Sequence, residues 1–105
     1  MQSEVLKGHV DALLLAALEH GPAHGYAIVE TVQARSDGAF RLAEGTVYPA
    51  LYRLERRGLL ESGWSGGDGG RRRRVYRLTR RGKAELVRQR ATWGSYVRAM
   101  QAALA

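Results

Sequence analysis

The sequence predicts a mainly α (α+β) fold, in which a winged helix-turn-helix precedes a long C-terminal dimerisation helix. Three segments with the apolar periodicity of helices come first, and a stretch with the two-residue alternation of a β-hairpin follows over residues 60–78. Residues 79–105 then form a last helix, whose apolar side chains are spaced 7, 4, 3 and 4 residues apart, close to a heptad seam. Short helices followed by a hairpin are the elements of a winged helix, here over residues 1–78.

The first two predicted helices span residues 5–20 and 24–35. Apolar side chains of the first recur at i, i+3, i+4, i+7 and i+8, and Gly21-Pro22 ends it. In the second, Tyr26, Val29 and Val32 recur every three residues, which places them on one stripe of the helix. We therefore expect Tyr26 to pack in the core. The alternative is that the backbone amides at Gly25 and Tyr26, which open this helix, hold a phosphate.

The third helix, predicted over residues 45–58, contains Pro49. A proline in a helix interior costs about 3 kcal/mol, whereas a proline in the first turn costs little. We therefore expect the helix to begin just before Pro49 and to display Thr46 and Tyr48 on its first turn. In a helix-turn-helix, this turn of the recognition helix enters the major groove of DNA.

Charge is distributed unevenly along the chain of 105 residues, which has a net charge of +7. Residues 1–40 contain two Lys or Arg against five Asp or Glu, whereas residues 41–105 contain fifteen against five. A basic half favours a polyanion as partner. An arginine-rich proteome would also raise the total charge, but it explains the clustering less well.

Several classes of protein are disfavoured. The chain has no cysteine, which excludes disulfides, thiolate metal sites and a cysteine nucleophile, and makes a reducing cytoplasm the simplest compartment. His20 and His24 are separated by Gly-Pro and would not share a helical face, so we expect no metal site. No phosphate loop or nucleophile elbow is present, so we expect neither an enzyme nor a cofactor. The longest apolar run, "ALLLAAL", is too short to cross a membrane.

The predicted hairpin has a glycine-rich tip followed by four arginines, Arg71, Arg72, Arg73 and Arg74. Alternate residues of a strand point to opposite sides, so two of the four would face DNA. Guanidinium groups neutralise phosphates with release of counterions, and a narrow minor groove attracts arginine. A solvated strand face is the alternative interpretation of such a run.

Three segments together carry a resemblance to a known family. "HVDALLLAALEHGPAHGYAI", "GTVYPALYRLERRGLLES" and "RRVYRLTRRGKAEL" follow one another at the spacing found in the PadR family of bacterial transcriptional regulators, and the chain resembles the compact members with one long C-terminal helix. The resemblance implies a cytoplasmic homodimer that binds double-stranded operator DNA, usually as a repressor relieved by a small molecule or another signal. A winged helix that binds proteins or RNA instead is the alternative.

The resemblance also implies that the start of the third helix faces DNA. We expect contacts from Thr46, Tyr48, Pro49 and Arg53. For Tyr52, the rim of the groove and the core are equally good placements, because an aromatic pair four residues apart, such as Tyr48 and Tyr52, often packs inside a protein.

The last helix has an N-cap candidate in Thr79 and a lone tryptophan, Trp93, on its apolar seam. Such a tryptophan more often belongs to a core or an interface than to a ligand site. In the compact PadR members, however, aromatic residues of this helix line a cavity between subunits that takes flat apolar ligands. We assign Trp93, Val97 and Met100, with Leu14 of the first helix, to a dimer interface or ligand site.

Overall fold

The computed structural model describes residues 9–66 and 72–105. In this part of the chain, four helices and three strands occur in the order α1 (Val10–Ala17), β1 (Ala23–His24), α2 (Gly25–Arg35), α3 (Glu44–Arg56), β2 (Leu60–Ser65), β3 (Arg73–Leu78) and α4 (Arg80–Leu104). The predicted fold class, mainly helical with a winged helix and a long last helix, is confirmed. Helix α1 ends three residues earlier than its predicted end. Residues 5–8 of the predicted first helix and residues 67–71 of the predicted hairpin lie outside the described residues.

The sheet has three antiparallel strands in the order β1-β3-β2. Strands β2 and β3 form the predicted hairpin, with Leu60 opposite Leu78 and Trp64 opposite Arg74. The two-residue strand β1 was not predicted, because two residues are too short to show an alternating pattern. It places His24 opposite Val75 and so fixes the start of α2 against the wing.

The core lies between α1, α2, α3 and the hairpin. Helix α3 contributes one continuous side, and α1 contributes side chains that include Leu14, which is 0% exposed. The assignment of Leu14 to a dimer or ligand surface is therefore wrong. Its position on the apolar stripe of α1 turns it towards the interior of its own domain. The α3 side chains buried here are Val47, Ala50, Leu51 and Leu54.

Helix α3 begins at Glu44, one residue before its predicted start, which moves Pro49 out of the first turn. Ala43 is its N-cap, and the Ala43 carbonyl accepts hydrogen bonds from the backbone N–H groups of Thr46 (2.9 Å) and Val47 (3.0 Å). Pro49 therefore lies in the second turn, where it cannot donate to the carbonyl of Gly45. Both residues are exposed, so water can reach that carbonyl and the helix continues.

Helix α4 crosses the start of β2 at a glycine. A Cβ on Gly82 would lie 2.0 Å from the carbonyl oxygen of Leu59, so only glycine permits this approach. The N-cap predicted at Thr79 is confirmed, since its Oγ1 accepts from the Gly82 N–H at 3.0 Å and donates to the carbonyl of Gly58 at 2.7 Å. Together these contacts set the direction in which α4 leaves the winged domain.

A paired contact also holds α4 against the end of α1. The Arg90 guanidinium donates two hydrogen bonds to the Glu19 carboxylate, at 2.6 and 2.8 Å. These hydrogen bonds from Arg90 lower the pKa of Glu19 to about 2. Beyond Arg90 the helix continues for fourteen residues to Leu104, and the chain measures 57 × 28 × 21 Å along its principal axes.

Candidate nucleic-acid interface

Helix α3 presents an aromatic and basic face on the side opposite its buried side chains. Tyr48 is exposed and Tyr52 is 62% exposed, which assigns Tyr52 to the surface rather than the core. The Cζ of Arg56 lies 5.8 Å from the centre of the Tyr52 ring, within the range of a cation–π contact. Thr46 and Pro49 are exposed on the same helix. The predicted recognition residues are therefore available to a partner.

Arg53, also predicted as a DNA contact, is held at the flank of this face. Its Nη2 donates to Oδ1 of Asp11 on α1 at 3.1 Å, and Arg57 lies 3.9 Å from the same carboxylate. An exposed ion pair of this kind contributes up to about 1 kcal/mol. Arg53 therefore joins α3 to α1, and Arg56, for which a backbone contact and a solvated surface role are equally open, lies nearer the centre of the exposed face. Their three-residue spacing turns them about 60° apart on the helix.

The N-terminal turn of α2 packs directly against Tyr48. Gly25 is buried, and a Cβ at this position would lie 2.7 Å from the hydroxyl oxygen of Tyr48 and from the Cε1 of its ring. The absence of a side chain at residue 25 therefore gives the Tyr48 ring its place beside α2. Sequence periodicity does not reveal this requirement, because the contact joins Gly25 and Tyr48, which are 23 positions apart in the chain.

Tyr26 is 62% exposed, so its predicted burial is wrong. The buried stripe of α2 consists of Gly25, Ile28 and Val32. At 3.6 residues per turn, residue 26 lies about 160° away from residue 28 around the helix, on the opposite side. The spacing of Gly25, Ile28 and Val32, at i, i+3 and i+7, is the signal that would have placed Tyr26 on the surface.

A cleft of about 500 Å³ lies between the start of α2, Tyr48 and the wing arginines. His24 caps α2 there, since its Nδ1 accepts from the N–H of Ala27 at 3.3 Å, while its Nε2 lies 3.0 Å from Nη1 of Arg73. A neutral imidazole has one nitrogen lone pair, so it cannot accept from both donors. Only one of the two contacts is a hydrogen bond at a time, and an anion can compete for the Arg73 guanidinium.

The wing arginines divide between the two faces of the hairpin. Arg72 and Arg74 lie on the side of Trp64, and Arg73 lies on the opposite side next to His24. All three are exposed. Arg71, the fourth predicted wing contact, lies outside the described residues. The described three follow the alternation expected of a strand.

The predicted effector or dimer residues lie along α4. Trp93 is 47% exposed, and its ring meets His9 edge-on at 4.8 Å and stacks with Tyr96 at 5.3 Å. Val97 is half-buried and Met100 is exposed. These side chains form an apolar strip on the part of α4 that extends beyond Arg90. Leu14 lies in the core instead, as described above.

Two features are absent from the described residues, a metal-binding cluster and a membrane-spanning helix. Among residues 9–66 and 72–105, no three His, Cys, Asp or Glu side chains gather as a metal site would require. Over the same ranges, no helix has the combination of length and apolarity needed to cross a bilayer.

A recognition helix with an exposed aromatic and basic face, followed by an arginine-bearing wing, defines a winged helix-turn-helix regulator of transcription. The chain belongs to the PadR-like family of transcriptional regulators, whose family model matches residues 14–88. DNA binding and regulation of transcription are the properties that this family indicates.

Individual relatives agree with this membership. The chain is 30% identical over 92 residues to an uncharacterised protein of Lysinibacillus sphaericus, covering 85% of this chain and 84% of that protein. It is 48% identical over 58 residues to a transcriptional regulator of Mycobacterium tuberculosis, which covers 55% of this chain and 53% of the relative.

Solved structures share the fold. A PadR family transcription regulator from Clostridium difficile superimposes with a TM-score of 0.79 at 35% identity, covering 92% of this chain and 99% of the other. A transcriptional regulator from Clostridium thermocellum superimposes with a TM-score of 0.84 at 28% identity, covering 93% and 95% of the two chains.

Proposed function

We propose that the chain is a homodimeric repressor that binds a two-fold symmetric operator in duplex DNA and releases it in response to a small molecule or another signal. The observation that carries the proposal is the position of the exposed face of α3 next to the arginine-bearing wing. Tyr48 of α3 and the arginines of the wing border one cleft, which suits contacts to a groove and to its adjacent phosphates.

The two elements have different roles in this proposal. The exposed side chains of α3 enter the major groove, where Thr46, Tyr48, Pro49 and Tyr52 contact base edges and thymine methyl groups. The wing arginines contact phosphates or the minor groove and supply affinity that depends on salt but little on sequence. Arg56, held over the Tyr52 ring, adds a charge at the centre of the α3 face.

The exposed apolar strip of α4 supports the homodimer. Trp93, Met100 and Leu104 are 47%, 41% and 77% exposed, respectively, although they lie on one stripe with the buried Leu86. A second copy of α4 would cover them and place two α3 helices about one turn of DNA, or a multiple of it, apart.

The aromatic group of Trp93, Tyr96 and His9 supports an effector site at the same interface. Its rings are partly exposed and offer flat apolar faces of the kind that a planar apolar molecule would contact. A molecule that binds one spacing of the winged domains more tightly than another shifts the population towards that spacing, and so changes operator affinity.

Selection of bound sequences from a random duplex pool tests the proposal. The enriched duplex and an unselected duplex of equal length are then compared by fluorescence anisotropy across a salt series, together with the duplex upstream of the chain's own gene. We expect an enriched motif with two half-sites, retained at salt concentrations where unselected DNA dissociates. A selection that enriches no motif, or an enriched duplex that dissociates at the same salt concentration as the unselected one, would show a general polyanion binder and contradict the proposal.

A further inference from the structure

The wing carries an exposed tryptophan for which the proposed DNA contacts do not account. Trp64 on β2 is 58% exposed, whereas tryptophan is highly buried on average in folded proteins. It lies directly opposite Arg74 in the antiparallel ladder, and directly opposed residues share one face of a sheet. That face continues along the hairpin to Leu60 and Leu78, which pack at the core, so Trp64 lies on the inner face of the wing where it extends beyond the core.

Two guanidinium groups lie against the Trp64 ring. The Cζ of Arg72 is 5.3 Å from the ring centre, and that of Arg74 is 5.4 Å from it. Both distances fall within the range of about 6 Å over which the face of an indole attracts a cation. Arg74 is in β3 and Arg72 directly precedes that strand. Their like charges repel each other, and attraction to the shared ring offsets part of this repulsion.

We propose that Trp64 is a positioning residue, which holds Arg72 and Arg74 as a preorganised pair for the DNA backbone. This inference rests on the proposed function, because it requires that the chain bind duplex DNA. A free arginine side chain loses conformational freedom when it is fixed on a phosphate, whereas one already stacked on a ring loses less. In this proposal the contribution of Trp64 to affinity passes through the two arginines.

The recognition helix limits where this pair can lie. Nη2 of Arg74 is 3.7 Å from Oε2 of Glu55 on α3, a distance longer than a hydrogen bond. Oε2 of Glu55 instead accepts from the Ser62 hydroxyl at 2.8 Å. Arg74 is therefore both stacked on Trp64 and ion-paired with Glu55 without a hydrogen bond, which positions the pair next to the groove that α3 would occupy.

A double-mutant cycle tests the inference with the full-length protein and the duplex enriched by the wild type. The variants are Trp64→Leu, the pair Arg72→Gln with Arg74→Gln, and the combination of all three. We expect Trp64→Leu to weaken binding about 5- to 30-fold, because two long arginine side chains must then be ordered when they meet the phosphates. In the background that lacks both arginines, the same change should have no measurable effect, because coupled residues are not additive.

Two further variants separate positioning from a loss of structure. Trp64→Phe keeps an aromatic face and should retain most of the affinity, although phenylalanine attracts cations less strongly than tryptophan. Arg98→Gln removes one charge from the exposed surface of α4, about 27 Å along that helix from its start, and should bind like the wild type. The Tm of the Trp64 variants should fall by no more than a few degrees, because only exposed contacts are lost and the side chain lies outside the core.

The outcomes are distinguishable. Equal losses from Trp64→Leu with and without the arginines would mean that the indole contacts DNA itself, and would overturn the inference. Undiminished binding by Trp64→Leu would overturn it as well. If the wild type enriches no sequence and binds no duplex, the proposed function is wrong, and the inference falls with it.

Discussion

The ring of Tyr48 occupies the space that a side chain at Gly25 would fill. A Cβ on Gly25 would lie 2.7 Å from Cε1 and from the hydroxyl oxygen of Tyr48, so the two residues depend on each other. This contact joins the first turn of α2 to the face of α3 that we propose enters the major groove. It makes the position of a predicted DNA contact depend on a glycine of another helix.

The substitution Gly25→Ala should therefore impair DNA binding more than folding. The added Cβ meets only the end of a flexible side chain, and alanine is about 1 kcal/mol more favourable than glycine within a helix. We expect an unfolding free energy within about 1 kcal/mol of the wild type and an affinity for the enriched duplex on the order of 10-fold lower. Urea denaturation and fluorescence anisotropy measure the two quantities.

Gly63→Ala is the control for this experiment, because a Cβ at Gly63 would meet nothing within 4 Å. It should leave both quantities close to those of the wild type. An affinity of Gly25→Ala equal to that of Gly63→Ala would mean that the placement of Tyr48 has no part in binding.

The substitution Gly82→Ala should destabilise the fold. Its Cβ would lie 2.0 Å from the carbonyl oxygen of Leu59, which is backbone and cannot rotate away. Overpacking of this kind costs about 1–3 kcal/mol, which corresponds to a fall in Tm on the order of 10 °C for a domain of this size. Differential scanning calorimetry provides the measurement.

Gly94→Ala on the same helix is the matched comparison, and it should increase the stability of the fold instead of lowering it. The nearest atom to its Cβ would be Nη1 of Arg98 at 3.3 Å, the end of a flexible side chain. Relief of the glycine penalty should raise stability by about 0.5–1 kcal/mol. A Tm for Gly82→Ala at or above the wild-type value would contradict the crossing of α4 over Leu59.

The Glu19–Arg90 pair should make stability depend on pH at the acidic end. The hydrogen bonds from Arg90 lower the pKa of Glu19 from 4.5 to about 2 in the folded protein. A carboxyl with a lowered pKa stabilises the fold above its unfolded pKa, and this contribution is lost as the pH falls towards about 2. We therefore expect Glu19→Gln to be less stable than the wild type at pH 7 and to approach it near pH 2.

Urea denaturation at several pH values tests this expectation, with Glu30→Gln as the control. Glu30 is exposed on α2, and among the described contacts of its side chain there is no ion pair with an arginine. A stability difference between Glu19→Gln and the wild type that does not change from pH 7 to pH 2 would be incompatible with the pairing.

Introducing a charge into the apolar strip of α4 should dissociate the proposed homodimer. Met100 is 41% exposed on the same stripe as Trp93, and a glutamate there would have to be buried without a partner when a second α4 covers it. We expect Met100→Glu to sediment as a folded monomer and to bind a duplex with two half-sites at least 10-fold more weakly, because the second half-site no longer adds to the first.

Val87→Glu places the same charge at a residue that is 69% exposed and lies about 100° around the helix from Leu86. It should remain a dimer. Dimers in both variants would show that the dimer contact lies elsewhere, and monomers in both would show that it is not confined to the apolar strip.

Local sequence patterns predicted the winged helix, the hairpin, the long last helix and the N-cap at Thr79, because each depends on residues close together in the chain. They also led to the family, through three segments with fixed residues and spacing. These patterns were wrong for two residues. Pro49 lies in the second turn of α3 instead of the first, because water can reach the carbonyl of Gly45. Tyr26 is exposed, because side chains spaced three residues apart do not stay on one face of a helix with 3.6 residues per turn.

The sequence by itself determined which segments become helix or strand, where positive charge accumulates, and to which family the chain belongs. Only the tertiary structure decided which side chains share a surface. It turned Leu14 inwards, tied Arg53 to Asp11, and placed Trp64 against Arg72 and Arg74. The physical reason is distance along the chain: helix and strand periodicity follow from neighbours within about four residues, whereas these contacts depend on how separate elements pack.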